Sequence, residues 1–456
     1  MSIVIVGAGE MGYHLARRLS YERQDVVVVE KNPAKVNFVH ETLDVQTIQG
    51  RGSSPAVLRK AGIDKAGILV AVTDSDEVNL VACFVAHQFN KFMKKVARLR
   101  QEDYLEVSGL SDQNRLGVDL FISPEHEAVG KLIKVLKVPS ATDVIDFAEG
   151  RIKLFGIQLK SDSPLVGHSL MAVRERYPDD RILIAAIFRD SEAIIPRGRD
   201  VLRARDTIYV ITGIASIPRV MEISGLHGAP PKNFMILGGT DVGVRIAMEL
   251  EKQGVSRIRL VESDLAKCEE IASQLDYTMV LRTDSVDEDF LKSEGIYEID
   301  AFLAMTGDDE HNALTALLAK RMGVGRVAAL TNKVEYHRLL SVVGVDVVVN
   351  PRLEGASRIL QYIRKGKVMS VSMLPGEGVE VIEFEAMETS QIVGRALRKV
   401  RFPSGAILGA VERGRDFLIP DGNTVIQPGD RIIVFARREA IPKVEKLITV
   451  SPNFFG

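Results

Sequence analysis

The chain carries one pattern twice, and that internal repeat constrains its architecture more than any other feature. Residues 3 to about 138 and 234 to about 366 follow the same order of motifs. Ile5-Val6-Gly7-Ala8-Gly9-Glu10-Met11-Gly12 is answered by Ile236-Leu237-Gly238-Gly239-Thr240-Asp241-Val242-Gly243, and the next apolar runs, Val26 to Glu30 and Ile258 to Glu262, both end in glutamate. Leu58 to Ile63 answers Leu291 to Ile296. Thr73-Asp74-Ser75-Asp76-Glu77 answers Thr306-Gly307-Asp308-Asp309-Glu310, with Asn79 and Asn312 two positions on. The intervening segments pair as well: Pro164 to Gly167 with Gln391 to Gly394, and Ile195 to Gly198 with Ile419 to Gly422. The order is therefore A-B-A-B. A linker of small residues and prolines, Gly225 to Pro231, divides the halves where neither helix nor strand can continue.

At 456 residues the chain exceeds the ~250 to 300 at which a single core stops growing, so several cores are required. The expected domains are 1–138, 139–226, 232–366 and 367–456. Within each A unit, short Val/Ile-rich runs alternate with amphipathic stretches, the pattern of a parallel sheet covered on both faces by helices. In the first unit strands are expected near 2–6, 26–30, 45–48, 68–72, 94–99 and 119–122. Pro124 then opens a helix whose apolar positions Val129, Leu132, Ile133 and Leu136 recur at helical spacing, with a counterpart near 351–365; both read as docking helices, and stable oligomerisation is the expectation drawn from them. The B units, with strands such as Ile182 to Ile187, Ile208 to Ile211, Ile407 to Val411 and Arg431 to Val434, read as small α+β modules. The fold class is α/β: two doubly wound parallel sheets, each followed by a small α+β domain.

Gly7, Gly9 and Gly12 follow a strand directly and open a helix, the context in which a G-x-G-x-x-G run marks dinucleotide binding. Gly7 permits the tight turn, Gly9 lets backbone amides approach a pyrophosphate, and Gly12 allows close helix-to-strand packing. Ala8, Glu10 and Met11 complete the loop, and the helix N-terminus supplies positive potential. Glu30, 18 positions past Gly12, is placed to bind ribose hydroxyls and repel a 2′-phosphate, favouring NAD(H) or an adenine nucleotide over NADP. Thr73 and Asp74 end the fourth strand beside the expected ligand crevice; alternatively, Asp74 only caps the next helix. Arg51 and Arg98 could each bring a guanidinium to the nucleotide or simply be solvated.

The second unit departs at one position. Gly238 and Gly243 remain, but Thr240 stands where Gly9 allows the closest approach to phosphate. Its Cβ crowds a pyrophosphate, or its hydroxyl contacts one; Gly239 restores some freedom, and Asp241, Val242, Glu262 and Thr306 complete the candidate site. The second site should bind differently or more weakly than the first.

Other classes find little support. Net charge is −2, which gives no electrostatic footprint for nucleic acid. No apolar run approaches the ~20 residues of a membrane span, and the N-terminus enters a strand with no leader pattern, so a cytoplasmic location is expected. Cys83 and Cys268 lie far apart and read as buried structural thiols. The eight histidines show no metal-ligand spacing and no link to a nucleophile; His168 is matched by Arg395 in the second half. No acid, base or metal constellation for chemistry is evident, which favours a sensor. The alternative is an NAD-dependent oxidoreductase with duplicated Rossmann domains.

Together the glycine run, the Val-Val-Glu strand end, Thr73-Asp74 with Asn79, and the turns of the B modules resemble the RCK (KTN) domains that regulate potassium channels and transporters. Two tandem copies resemble the regulatory subunits of Trk-type potassium uptake systems. That resemblance implies an RCK-N/RCK-C/RCK-N/RCK-C chain forming a homo-oligomeric gating ring, typically a tetramer, peripherally attached at the cytoplasmic face of the inner membrane beneath a pore of the TrkH type. It also implies that NAD(H) and ATP/ADP shift the ring between states.

Overall fold

The computed structural model describes residues 2–101, 104, 117–178, 180–190, 192–226, 228–364, 370–374, 378–414 and 416–448. His227 of the linker and the expected boundary at 366/367 lie outside the described residues.

The first A unit runs β1 (Ser2–Val6), α1 (Glu10–Tyr21), β2 (Asp25–Glu30), α2 (Pro33–Thr42), β3 (Gln46–Gln49), α3 (Pro55–Lys60), β4 (Ile68–Ala71), α4 (Asp76–Phe89), β5 (Lys94–Arg98) and β6 (Leu120–Ile122). Its sheet is parallel, in the order β3-β2-β1-β4-β5-β6, with Val4 opposite both Val27 and Leu69. This is the doubly wound order whose direction reverses between β1 and β4. Period-two alternation builds two cores. Ile3, Ile5, Val28 and Val70 face one side of the sheet, while Val4, Val6, Val29 and Leu69 face the other. Helix starts are fixed locally: Asn32 accepts from the amides of Ala34 and Lys35 ahead of Pro33, and Ser75 accepts from Val78.

Next come α5 (Pro124–Leu136) and the first B module: β7 (Ala141–Phe147), β8 (Ile152–Gln158), α6 (Leu170–Arg176), β9 (Ile182–Arg189), β10 (Glu192–Ile194), β11 (Thr207–Gly213) and α7 (Ile217–Ile223). Its sheet is antiparallel, ordered β10-β9-β11-β8-β7. The second half repeats the plan with β12 (Asn233–Leu237), α8 (Asp241–Lys252), β13 (Arg257–Glu262), α9 (Leu265–Gln274), β14 (Met279–Arg282), α10 (Glu288–Ser293), β15 (Ala301–Ala304), α11 (Asp309–Arg321), β16 (Arg326–Leu330), α12 (Val334–Val343), β17 (Val347–Val349) and α13 (Pro351–Arg364). Here the parallel order is β14-β13-β12-β15-β16-β17. The last module holds β18 (Ser370–Met373), β19 (Val379–Glu385), β20 (Ala406–Arg413), β21 (Asp416–Leu418), β22 (Arg431–Arg437) and α14 (Ile441–Ile448), with sheet order β18-β19-β22-β20-β21.

The halves are interlocked by exchange of their crossover helices. Leu132, Ile133 and Leu136 of α5 join the core of the second sheet, with Ile236, Ile246 and Leu260. Ala356, Ile359 and Leu360 of α13 join the core of the first, with Ile3, Leu15 and Val28. These apolar faces are therefore satisfied inside one chain, and the oligomerisation expected from them does not follow from these helices. Lys131 of α5 bridges Asp143 of β7 at 3.4 Å and Glu354 of α13 at 2.8 Å, so one half-buried cation ties three elements together. The two B modules also share a core, in which Phe147, Leu154 and Ile211 meet Val381, Ile433 and Phe435. Cys83 and Cys268 are buried and unlinked, and burial pushes the Cys83 thiol up to about 12. Among the described residues no helix is long and apolar enough to cross a membrane.

Candidate nucleotide site

At the carboxyl edge of the first sheet, β1 turns into α1 through Gly7, whose φ of +104° is open to glycine at little strain. A Cβ on Gly12 would lie 1.9 Å from the Gly7 carbonyl oxygen, so only glycine lets α1 pack this close. Gly9 is different. Nothing lies within 4 Å of a Cβ built there, so the loop leaves space at the mouth of the helix. As the N-cap residue, Gly9 provides no side-chain acceptor for the first amides of α1. Those orphan donors and the helix dipole converge on one open spot.

Glu30 ends β2 and is buried. Its Oε2 accepts from the amide of Ala8 at 2.7 Å and its Oε1 from the amide of Asn32 at 2.8 Å. The carboxylate thus clamps the loop while keeping lone pairs for further donors. Thr73 packs against Gly7 across the switch point, and its hydroxyl donates to Asn79 Oδ1 at 2.8 Å. Asn79 is fully buried; it also accepts from the Thr73 amide at 2.9 Å and donates to the Arg98 carbonyl at 3.0 Å. The Thr–Asn motif is therefore a clamp between the ends of β4 and β5. Asp74 is exposed and does not cap α4, a role taken by Ser75. Asp76, which the sequence reading did not single out, accepts from the amides of Arg100 and Gln101 and fixes the chain leaving β5.

Arg51 is exposed. Arg98 is buried, 3.5 Å from Glu125 Oε1, and its Nε has no hydrogen-bond partner among the described residues. Burial lowers its pKa, with Glu125 opposing. Arg18 of α1 is buried and pairs with Glu22 and with Glu380 of β19.

The second site keeps the frame and changes its mouth. Gly238 has φ +107°, and a Cβ on Gly243 would meet the Gly238 carbonyl oxygen at 2.1 Å. Thr306 and Asn312 repeat the clamp, with Asn312 Nδ2 donating to the Leu330 carbonyl at 3.0 Å. Glu262 accepts from the amides of Gly239, Ser263 and Asp264; burial pushes its pKa up, but these hydrogen bonds outweigh it and the net shift is downward. Asp241 and Val242 open α8, but Thr240 caps it: its hydroxyl accepts from the Gly243 amide at 3.3 Å and donates to the Met305 carbonyl at 2.7 Å. In this arrangement the Thr240 hydroxyl is engaged by the Met305 carbonyl and the Gly243 amide, so one of the first amides of α8 already has a partner.

Comparison with known proteins agrees with this arrangement. The TrkA-N domain family matches residues 3–124 and 234–351, and the TrkA-C domain family matches 154–225 and 381–449. The chain is 37% identical to the Trk system potassium uptake protein TrkA of Azorhizobium caulinodans and 35% identical to that of Halomonas elongata, in both cases over 100% of each chain. Among solved structures, the GsuK RCK domain superposes with a TM-score of 0.60 at 18% identity, covering 98% of this chain and 94% of that one. The GsuK channel bound to NAD superposes with a TM-score of 0.59 at 17% identity, covering 98% and 78%. Full-length identity to curated relatives and both domain types in tandem lead to one conclusion: the chain belongs to the TrkA family of Trk system potassium uptake proteins.

Proposed function

We propose that this chain is the nucleotide-sensing, non-catalytic regulatory subunit of a Trk-type potassium uptake system, a gating-ring component that controls flux through a TrkH-type membrane subunit from the cytoplasmic side. Four copies would complete the ring, each chain divided at 138/139, 226/232 and 366/367. The observation that carries the reading is the contrast at the two helix mouths. Gly9 leaves the α1 amides uncapped and open, while Thr240 caps α8. The first site fits a pyrophosphate: Gly7, Ala8, Gly9, Glu10, Met11 and Gly12 would hold it by backbone amides and helix potential, and Glu30 would accept from a ribose hydroxyl. The GsuK channel, which shares the fold, is bound to NAD in its solved structure. NAD(H) and ATP/ADP are the proposed ligands.

A nucleotide changes gating only by binding one state of the ring more tightly than the other. The exchanged helices give that linkage a physical route, since α13 packs on the first sheet and leads into the second C-terminal module. The experiment is potassium flux through vesicles containing the membrane subunit, with and without the native chain. Nucleotide-dependent flux that requires the chain and disappears with Gly9→Asp is expected; flux indifferent to nucleotide in the presence of the chain would count against the reading.

A further inference from the structure

Arg352 is the second residue of α13, and thus belongs to the second half, yet its guanidinium forms an ion pair with Glu10 Oε2 on the phosphate loop of the first. One turn later, a Cβ on Gly355 would lie 2.8 Å from Met11 Cε and 3.2 Å from Pro124 Cγ, so the start of α13 is pressed against the residue after Glu10. The same guanidinium lies close enough to Arg98 to disfavour its protonated form. Its only other hydrogen bond among the described residues is a long one, 3.5 Å, to the Asn332 carbonyl. The side chain is 36% exposed, so it is held at one end and accessible at the other.

Glu10 stands at the first position of α1, where the helix potential favours an anion, and its carboxylate occupies part of that potential. A phosphate at the open amides beside Gly9 brings more negative charge to the same place. Repulsion between the two is relieved if the guanidinium turns from the carboxylate to the phosphate, with which it can form paired, charge-assisted hydrogen bonds. We propose that Arg352 is a phosphate-binding residue of the first site supplied by the opposite half: it exchanges Glu10 for the terminal phosphate of a bound nucleotide and sets preference by phosphate count. This inference rests on the nucleotide reading of the first site. It also ties occupancy of that site to the first turn of the helix that leads into the second C-terminal module.

The test is calorimetric titration of the full chain with AMP, ADP and ATP at one salt concentration. In R352Q, affinity for ATP and ADP should fall about tenfold or more while AMP changes little; R352K, which keeps the charge but not the planar fork, should fall between. E10Q should tighten ATP binding, and that gain should be clearly smaller in the double variant E10Q/R352Q, where only the direct repulsion is removed. An unchanged ATP-to-AMP ratio in R352Q, or a gain from E10Q that is undiminished without Arg352, would overturn the inference while leaving the nucleotide site in place. A native chain that binds none of the three would overturn the site reading itself, and this inference with it.

Discussion

The hydroxyl of Thr240 donates to the carbonyl of Met305 at 2.7 Å, joining the mouth of α8 to the end of β15. In the first half the corresponding residue is Gly9, which has no hydroxyl, and the mouth of α1 stays open. Thr240→Gly should therefore have two separable effects. It removes a cap and a hydrogen bond, lowering the stability of the second A unit by about 1 kcal/mol. It also frees an amide donor, so adenine nucleotide affinity at the second site should rise toward that of the first. Denaturant unfolding measures one effect and calorimetry the other.

Two glycines of the same loop should respond in opposite ways. Gly12→Ala places a methyl group 1.9 Å from the Gly7 carbonyl oxygen and should destabilise the first A unit by about 1 to 3 kcal/mol or more. Gly9→Ala meets nothing within 4 Å and should leave the unfolding midpoint nearly unchanged while weakening nucleotide binding. Parallel unfolding and binding curves for the two variants check the contrast.

Arg326 at the start of β16 donates to the carbonyls of Val138 at 2.8 Å and Val135 at 3.0 Å, and also to that of Ala141, where α5 of the first half gives way to β7. Burial lowers its pKa to about 10, so it remains cationic near neutrality. Truncation to Ala would leave these buried acceptors without their donor. We expect a loss of about 3 kcal/mol in urea unfolding, accompanied by loosening of α5 seen as faster amide exchange over 124–136.

The depressed pKa of Glu262 sets a sign for pH dependence. A carboxyl that ionises more readily in the folded state contributes stability that is fully present above its ordinary value of 4.5 and is lost as pH falls through its folded value. Glu262→Gln should lower stability near pH 7 and flatten the acid side of the profile below about pH 4.5. Urea midpoints recorded from pH 7 down to about pH 3 would show it; equal acid sensitivity in both proteins would contradict the assignment.

Much of this was legible in sequence because its physics is local. Val/Ile-rich runs alternating with amphipathic stretches located the strands of the first sheet to within about one residue, most clearly at Val26 to Val29 and Ile68 to Ala71, where burial on both faces leaves an unbroken apolar run. Pro124 and the spacing of Leu132 and Leu136 located α5, but periodicity reports that an apolar face exists, not which sheet it meets. The exchange of α5 and α13 was therefore invisible. Strands β7, β8, β18 and β19 went unassigned. At the site, glycine spacing was readable because it reflects backbone geometry. The engagement of Asn79 with the Arg98 carbonyl, and of Glu10 with Arg352, depends on contacts between distant segments and emerged only in three dimensions.

The central claim is that the first A unit binds adenine nucleotides through an open helix mouth, and calorimetric titration of the full chain with NADH and NADPH tests it most directly. The account predicts saturable binding of NADH by the native protein, weaker binding of NADPH because Glu30 opposes a 2′-phosphate, and loss of the high-affinity phase in Gly9→Asp. A native chain that binds neither, or a Gly9→Asp variant that binds NADH as tightly as the native protein, would contradict it.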